Sequence, residues 1–374
     1  MRRKAGFSLL ELMVSVSILV TVVGVSLKML IDAQHTYEGV MDMADLQQNL
    51  RASMISMQRD IIQAAEGLPS TGISYPQGGG TPAINRPSPT GKAYTFPPPA
   101  TATTIADITP GVGGSITPGL TVNGTVTDFI TLMYVDNSLY DANKHQLYSF
   151  PVYVQAVAPA QTCNGNINAT ATTATFDANC INIGGNNGIR AGDLIMFFNG
   201  QNYAIQTVTS VAGQVVTFAA GDAFNFNGKL AIATAGTMKQ LQNGGVGAGG
   251  PYPPTTASRV KMVTYYIDNV TNPNLPQLMR QVNFNAPQAI AQGIEDLQIS
   301  YGIIQPGNVA LYGAAGPGNA KQPLGTDSPA QIRNVNLFVG GRSDTAYSVT
   351  GQFFRDNMIT KVCVRSLSFV NRYN

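Results

Sequence analysis

The sequence predicts an α+β fold: a long N-terminal α-helix packed on a C-terminal antiparallel β-sheet domain, with a long Pro/Gly-rich excursion between them. Three observations carry this reading. An apolar run leads into an apolar stripe at helical spacing, ten of the 22 prolines crowd into residues 67–124, and β-branched and aromatic runs separated by turn residues fill the chain from Thr125 onward. Composition agrees with a loop-rich β protein displayed outside the cell: charged residues make up 11%, against roughly 25% in soluble domains, with 39 glycines and no tryptophan.

The helix comes in two pieces. Residues 1–6 form a basic head ending in Gly6, and residues 7–31 an apolar run interrupted near its start by Glu11, with no charge over 12–27. That length approaches the roughly 20 residues needed to cross a bilayer as a helix. Arg2, Arg3 and Lys4 hold the head on the cytoplasmic side, so the rest of the chain faces out. A conventional secretory signal needs a small-residue cleavage site after the apolar run, which Gly24 and Ser26 only approximate. A plain anchor gives no reason for Glu11, since a carboxylate deeper in the core costs up to about 2.5–3.5 kcal/mol.

Residues 32–66 read as an amphipathic stalk helix. Leu46, Leu50, Met54, Met57 and Ile61 make the stripe, while Asp42, Asp45, Arg51, Arg59 and Asp60 lie mostly off it. Glu66-Gly67-Leu68-Pro69 supplies the stop, with Gly67 as the C-cap. If helical throughout, 7–66 spans roughly 90 Å. Met41, Met43, Met54 and Met57 read as core packing rather than a soft-metal surface, because no Cys or His array accompanies them.

Gly6-Phe7-Ser8-Leu9-Leu10-Glu11-Leu12, with the apolar run that follows, resembles the prepilin cleavage and methylation motif of type IV pilins and type II secretion pseudopilins. The resemblance implies a cut between Gly6 and Phe7 by a prepilin peptidase, N-methylation of Phe7, and Glu11 as the fifth residue of the mature chain. It implies a single-pass inner-membrane protein with its head on the periplasmic face, later carried to the pilus or cell surface. The implied partners are other minor pilins and the major pilin, met through the N-terminal helix. Cleavage leaves an ammonium at the end of an apolar helix, and a neighbour's Glu11 can neutralise it. In lipid or a packed filament core that pair is favourable mainly because each lone charge is so unfavourable. Glu11 would then set the axial register between subunits; a carboxylate merely snorkelling to the interface is the other reading.

The excursion at 67–124 includes Pro97-Pro98-Pro99 and carries charge only at Arg86, Lys92 and Asp107. Prolines at that density exclude a central strand, so it reads as a surface segment rather than a folded domain. In the head, 125–374, strands are expected at 128–135, 149–157, 194–198, 203–211, 215–218, 260–267, 277–283, 294–304, 332–339 and 362–370, with Asn199-Gly200 as a hairpin turn. Cys163 and Cys180 share one polar stretch and would form a disulfide in an oxidising compartment, leaving Cys363 as a buried thiol in the last strand. The alternative is three unpaired small hydrophobes.

Further resemblance lies in the head. Val263-Thr264-Tyr265-Tyr266-Ile267, Leu278-Met279-Arg280, Gly192-Asp193-Leu194-Ile195-Met196 and the stretch 290–302, Ile-Ala-Gln-Gly-Ile-Glu-Asp-Leu-Gln-Ile-Ser-Tyr-Gly, are similar to stretches of the PilW minor pilins. Length also favours PilW over the usually shorter J-type pseudopilins of type II secretion. This implies a low-abundance subunit that helps initiate pilus assembly at the filament tip; a tethered adhesive ligand-binding module is the reading from another class.

Other chemistry is set aside. The net charge of +2 is supplied by the basic head and implies no nucleic-acid partner. Gly245-Val246-Gly247-Ala248-Gly249-Gly250 is followed by Pro251-Tyr252-Pro253-Pro254 where a nucleotide fold needs a helix, and Gly91-Lys92 lacks the rest of a phosphate loop. With only His35 and His145, and three of four glutamates in the N-terminal helix, no catalytic residue, metal or cofactor is expected and the protein reads as a non-enzyme. Asp136, Asn137, Asp141 and Asn143 offer oxygen ligands for Ca²⁺, with a solvated turn as the default.

Overall fold

A computed structural model describes residues 8–69, 72–74, 76, 83–89, 93–96, 104–105, 108–112, 121–122, 125–140, 146–147, 150–153, 165–177, 188–230, 232, 234–242, 252–305, 308–312 and 332–364. Leu9–Gln63 form one continuous α-helix, α1, about 82 Å long at 1.5 Å per residue. It stops three residues short of the expected end because the backbone finds other partners. Ala65 N–H donates to Met133 O (2.9 Å) and Val135 N–H to Glu66 O (2.9 Å), so the chain leaves the helix to pair with a strand. Gly67 is not the C-cap. Its φ of +71° carries the exit turn, and a side chain there would meet Val135.

Eight strands make the main sheet: β1 (Ile108–Val112), β2 (Asp128–Val135), β3 (Phe150–Tyr153), β4 (Leu194–Phe198), β5 (Tyr203–Thr207), β6 (Thr255–Asp268), β7 (Gln277–Val282) and β8 (Gln288–Gln292). All pairings are antiparallel. β6 is the spine: β3 and β2 pair along one of its edges, β4 and β7 along the other. A four-stranded antiparallel sheet follows, in the order β10 (Asn308–Tyr312), β9 (Ile294–Gln305), β11 (Ile332–Ala346), β12 (Phe353–Cys363). The result is the expected α+β, pilin-like layout of one long N-terminal helix followed by antiparallel sheets. Strand β8 was not anticipated, and β12 covers Phe353–Cys363 where 362–370 was expected; residues 365–374 lie outside the described chain.

Alternation explains the layers. On β2, Ile130, Leu132 and Tyr134 face α1 while Met133 and Val135 face away; on β6, Val263, Tyr265 and Ile267 face α1 while Val260 and Met262 face away. The stripe Leu46, Leu50, Met54, Met57 and Ile61 joins the first set and the inner residues of β9 and β11 in one core. Full burial of such side chains contributes about 1.5–3 kcal/mol each. Leu194, Met196 and Ile205 join the opposite core, and Ile195, Phe197 and Ala204 a third built with Phe176, Val216 and Phe218.

The excursion is not simply surface. Ile73, Ile84 and Phe96 are buried against the back of the sheet with Phe224 and Phe226, and Tyr94 stacks on Phe129 at 3.9 Å between ring centroids. A sheet whose front is taken by α1 still has an apolar back to cover, and this segment supplies the cover. The proline argument holds at β1, whose Pro110 sits on a strand that, among the described residues, pairs only with β2. Asn199 and Gly200 do turn a hairpin, but through four residues: Asn199 Oδ1 accepts from the N–H groups of Gln201 (3.0 Å) and Asn202 (2.8 Å).

Candidate assembly segment and its anchorage in the head

Ser8 caps α1 in an extended conformation. Its Oγ accepts from Glu11 N–H and Glu11 Oε2 accepts from Ser8 N–H, both at 3.2 Å, a reciprocal capping box. Glu11 therefore closes the helix end within its own chain, a role the motif's Ser8-x-x-Glu11 spacing permits and the sequence reading did not weigh. Gly6 and Phe7, the expected cleavage and methylation positions, lie outside the described residues, as do Cys163 and Cys180.

Beyond the cap the helix stands bare. The large apolar side chains from Leu9 to Ile31 are 48% to 78% exposed, and the first buried position on α1 is Gly39. Three hydroxyls inside this run are satisfied within the helix: Ser15, Ser17 and Thr21 each donate at 2.8 Å to the carbonyl four residues back, which lowers their cost in a lipid or packed-protein environment. Among the described residues this is the one helix long and apolar enough to cross a bilayer.

The other half of α1 is locked to the head by a polar device that the periodicity hid. Asp60, placed off the apolar stripe, is 3% exposed. Arg280 Nε donates to its Oδ2 at 2.7 Å, Tyr265 Oη to Oδ2 at 2.7 Å, and Tyr134 Oη to Oδ1 at 3.2 Å. Burial, and then the Asp60 charge, raise the Tyr265 and Tyr134 hydroxyls well above the usual tyrosine range. Ser56 Oγ lies 2.9 Å from the Tyr265 hydroxyl, and Gln58 Nε2 donates to Thr360 Oγ1 at 2.9 Å, adding β12 to the contact. A finer period could have found Asp60: Leu46, Leu50, Ser53, Met57, Asp60 and Ala64 alternate steps of four and three, and all six are buried.

The stretch at 290–302 has a mechanical role. Gly293 is the single residue between β8 and β9, the corner where the chain leaves one sheet for the other, with φ of +70°. Arg342 N–H donates to its carbonyl at 2.8 Å, and a side chain there would collide with the Arg342 carbonyl oxygen. Next to it the buried Glu295 accepts from Arg355 Nε at 2.8 Å and lies 3.5 Å from Arg342 Nε. The two sheets are stitched again at Asp128, whose Oδ2 accepts from Ile299 N–H at 3.0 Å. Burial pushes the Asp128 carboxyl up to about 7, against the pull of that hydrogen bond.

Two expectations are corrected. Cys363 is exposed, not buried: at the end of β12 its neighbours Val362 and Val364 are buried, and the residue between them points out. Asp136 is neither a solvated turn residue nor an open cation ligand. It is 2% exposed and held by Arg259 Nη2 and Lys261 Nζ, both at 2.7 Å. Burial pushes its carboxyl up, but the Arg259 charge and Lys261 outweigh that and hold it below the usual range. Asp193 sits farther from Arg259, at 3.5 Å, and there burial wins and the carboxyl is raised. Asp141 and Asn143 lie outside the described residues, as does the glycine run at 245–250; the segment after it is the strand β6, not a helix.

Comparison with known proteins agrees with the bare helix. Residues 1–27 match the prokaryotic N-terminal methylation motif. No curated protein and no solved structure matches the chain. The motif supports a structural, type IV pilin-like or pseudopilin-like protein that a prepilin peptidase processes in the context of pilus assembly, and the apolar helix is consistent with single-pass anchoring in the inner membrane.

Proposed function

We propose that this chain is a minor type IV pilin of PilW type, cut between Gly6 and Phe7, methylated at Phe7 and polymerised through α1. The observation that carries the reading is the division of α1 into a bare apolar half, with Glu11 at its fifth mature position, and a half fixed to the head by Asp60. A helix so divided has one part for lipid or neighbouring subunits and one for its own domain. The proposed division of the chain is leader 1–6, membrane and filament-core helix 7–31, stalk 32–66, Pro/Gly-rich segment 67–124 and head 125–374.

The PilW assignment is supported by the large head and by the quoted stretches, which contain Tyr265, Arg280 and Gly293, the residues that hold helix to sheet and sheet to sheet. On this reading the subunit acts with other minor pilins and the major pilin to initiate assembly, sits at the filament tip, and its head faces the periplasm before reaching the cell surface. Cys163 and Cys180 form a disulfide in that oxidising compartment.

Gly6→Leu should leave an uncleaved precursor on a gel, and mass spectrometry of the natural protein should find methylated Phe7 at its N-terminus. Normal processing of Gly6→Leu overturns the peptidase reading. A deletion strain should lose pili; loss of secretion with pili intact moves the protein to the secretion machine, and loss of adhesion alone moves it to a tethered adhesin.

A further inference from the structure

The hairpin between β11 and β12 descends α1 toward its bare half. Gly341 packs on Leu46, Thr345 Oγ1 donates to Asp42 Oδ2 at 2.6 Å, the Tyr347 ring lies against Gly39, and the Ser348 hydroxyl is 2.6 Å from His35 Nδ1. The chain then turns at 348–350 and climbs back, with Phe354 also against Gly39. Among the described residues this turn is the lowest part of the head to touch the helix. His35 is one helical turn past Ile31, where the apolar run ends, about 6 Å along the axis. The headgroup layer on each side of a bilayer is roughly 5–8 Å deep.

The chemistry of the tip suits that depth. Residues 345–354, Thr-Ala-Tyr-Ser-Val-Thr-Gly-Gln-Phe-Phe, carry no charge. Val349 in the turn is 66% exposed, and Tyr37 and Val40 on the adjoining helix are 67% and 60% exposed. Tyr37, Met41 and Tyr347 line a cleft of about 450 Å³ between hairpin and helix. Of the nearby carboxylates, Asp42 accepts from Thr345 and Glu38 lies 3.7 Å from His35 Nδ1, while Asp32 and Asp344 stand exposed at the margins of this surface. Uncharged turns with exposed tyrosine beside a membrane-spanning helix are what the interfacial region favours.

Resting on the reading of α1 as a membrane anchor, the geometry points to the 348–350 turn and Tyr37 as a second, interfacial membrane contact. Before assembly the head seats this hairpin among phospholipid headgroups, which fixes its tilt and rotation about the anchor. Extraction into a filament then exchanges lipid for a neighbouring subunit on the same surface.

The absence of tryptophan gives a clean test, because each single-Trp variant reports one position. The full-length chain is placed in phosphatidylethanolamine/phosphatidylglycerol vesicles doped with lipid brominated high on the acyl chain. Val349→Trp should emit to the blue of an exposed probe and be quenched roughly twofold. Thr350→Trp should report the same, guarding against a local misfit of the first variant. Val20→Trp reports the span itself, and Ile62→Trp, about 46 Å above Ile31 along the helix, should be unquenched. Quenching at position 20 without quenching at 349 and 350 overturns the hairpin contact and leaves the anchor standing. No quenching at position 20 overturns the anchor and this inference with it. A blue shift at 349 without lipid quenching means a protein neighbour and also overturns it.

Discussion

From Leu9 to Ile31 the apolar side chains of α1 are exposed, whereas the stripe from Leu46 to Ile61 is no more than 3% exposed, although both halves belong to one unbroken helix. The difference shows what each half is for. Burial of the second half holds the head together, and exposure of the first leaves about 20 residues of apolar surface that only lipid or other subunits can cover. Substitutions should therefore separate: changes near Asp60 act on stability, and changes near Glu11 act on assembly.

The largest expected effect is at Asp60. Asp60→Ala leaves Arg280 without its counter-ion and the buried Tyr134 hydroxyl without its acceptor, while Tyr265 falls back on Ser56, a loss of about 3–5 kcal/mol. Denaturant unfolding of the detergent-solubilised chain measures it, while cleavage of the leader should be normal. An unchanged midpoint would mean that the apolar stripe alone holds the stalk to the head. Next is Gly293→Ala, which forces a side chain into a left-handed position against the Arg342 carbonyl oxygen. Loss of about 2–3 kcal/mol is expected in the same assay, with the two sheets parting at that corner.

Much of this contrast could be read in the sequence, because apolar periodicity reports a buried helix face directly. The stripe from Leu46 to Ile61 and strands such as β2 and β4 stand where the side-chain pattern put them. Asp60 was hidden for the converse reason: an acid beside a stripe reads as its solvated border, and only the fold brings Tyr134, Tyr265 and Arg280 to it from far along the chain. Ile73, Ile84 and Phe96 have no periodic neighbours, so their burial follows from the sheet's need for a second cover and not from any local pattern. Cys363 was the avoidable miss, since alternation with Val362 and Val364 already turns it outward.

The head should also respond to pH, through a buried carboxyl. Asp128 titrates near 7 when folded and in the ordinary carboxylate range when unfolded, because burial favours its neutral form. The folded state then holds the proton more tightly, so stability is highest at low pH and falls as pH rises toward 7, by at most about 1.4 kcal/mol per unit. Asp128→Asn keeps an acceptor for Ile299 N–H and removes the ionisation. It should be neutral at pH 4, stabilising by about 1–2 kcal/mol at pH 7.5, and flatter between; an unchanged slope would assign the pH dependence to other groups, Asp296 among them, whose carboxyl burial also raises.

The smallest effect on stability, and the sharpest on function, belongs to Glu11. Its capping contact with Ser8 needs a side-chain acceptor but not a charge, and glutamine serves that position in a capping box. Glu11→Gln should keep the helix start and leave the unfolding midpoint within about 0.5 kcal/mol. Neutralising the ammonium of a neighbouring subunit's cleaved N-terminus does need the charge, so the same variant should be processed normally yet enter filaments poorly. Glu11→Val removes both contacts and should fray the first turn as well. If Glu11→Gln assembles as the natural chain does while Glu11→Val fails, then the residue acts through the cap it forms in its own helix, and the charge pairing between subunits is refuted.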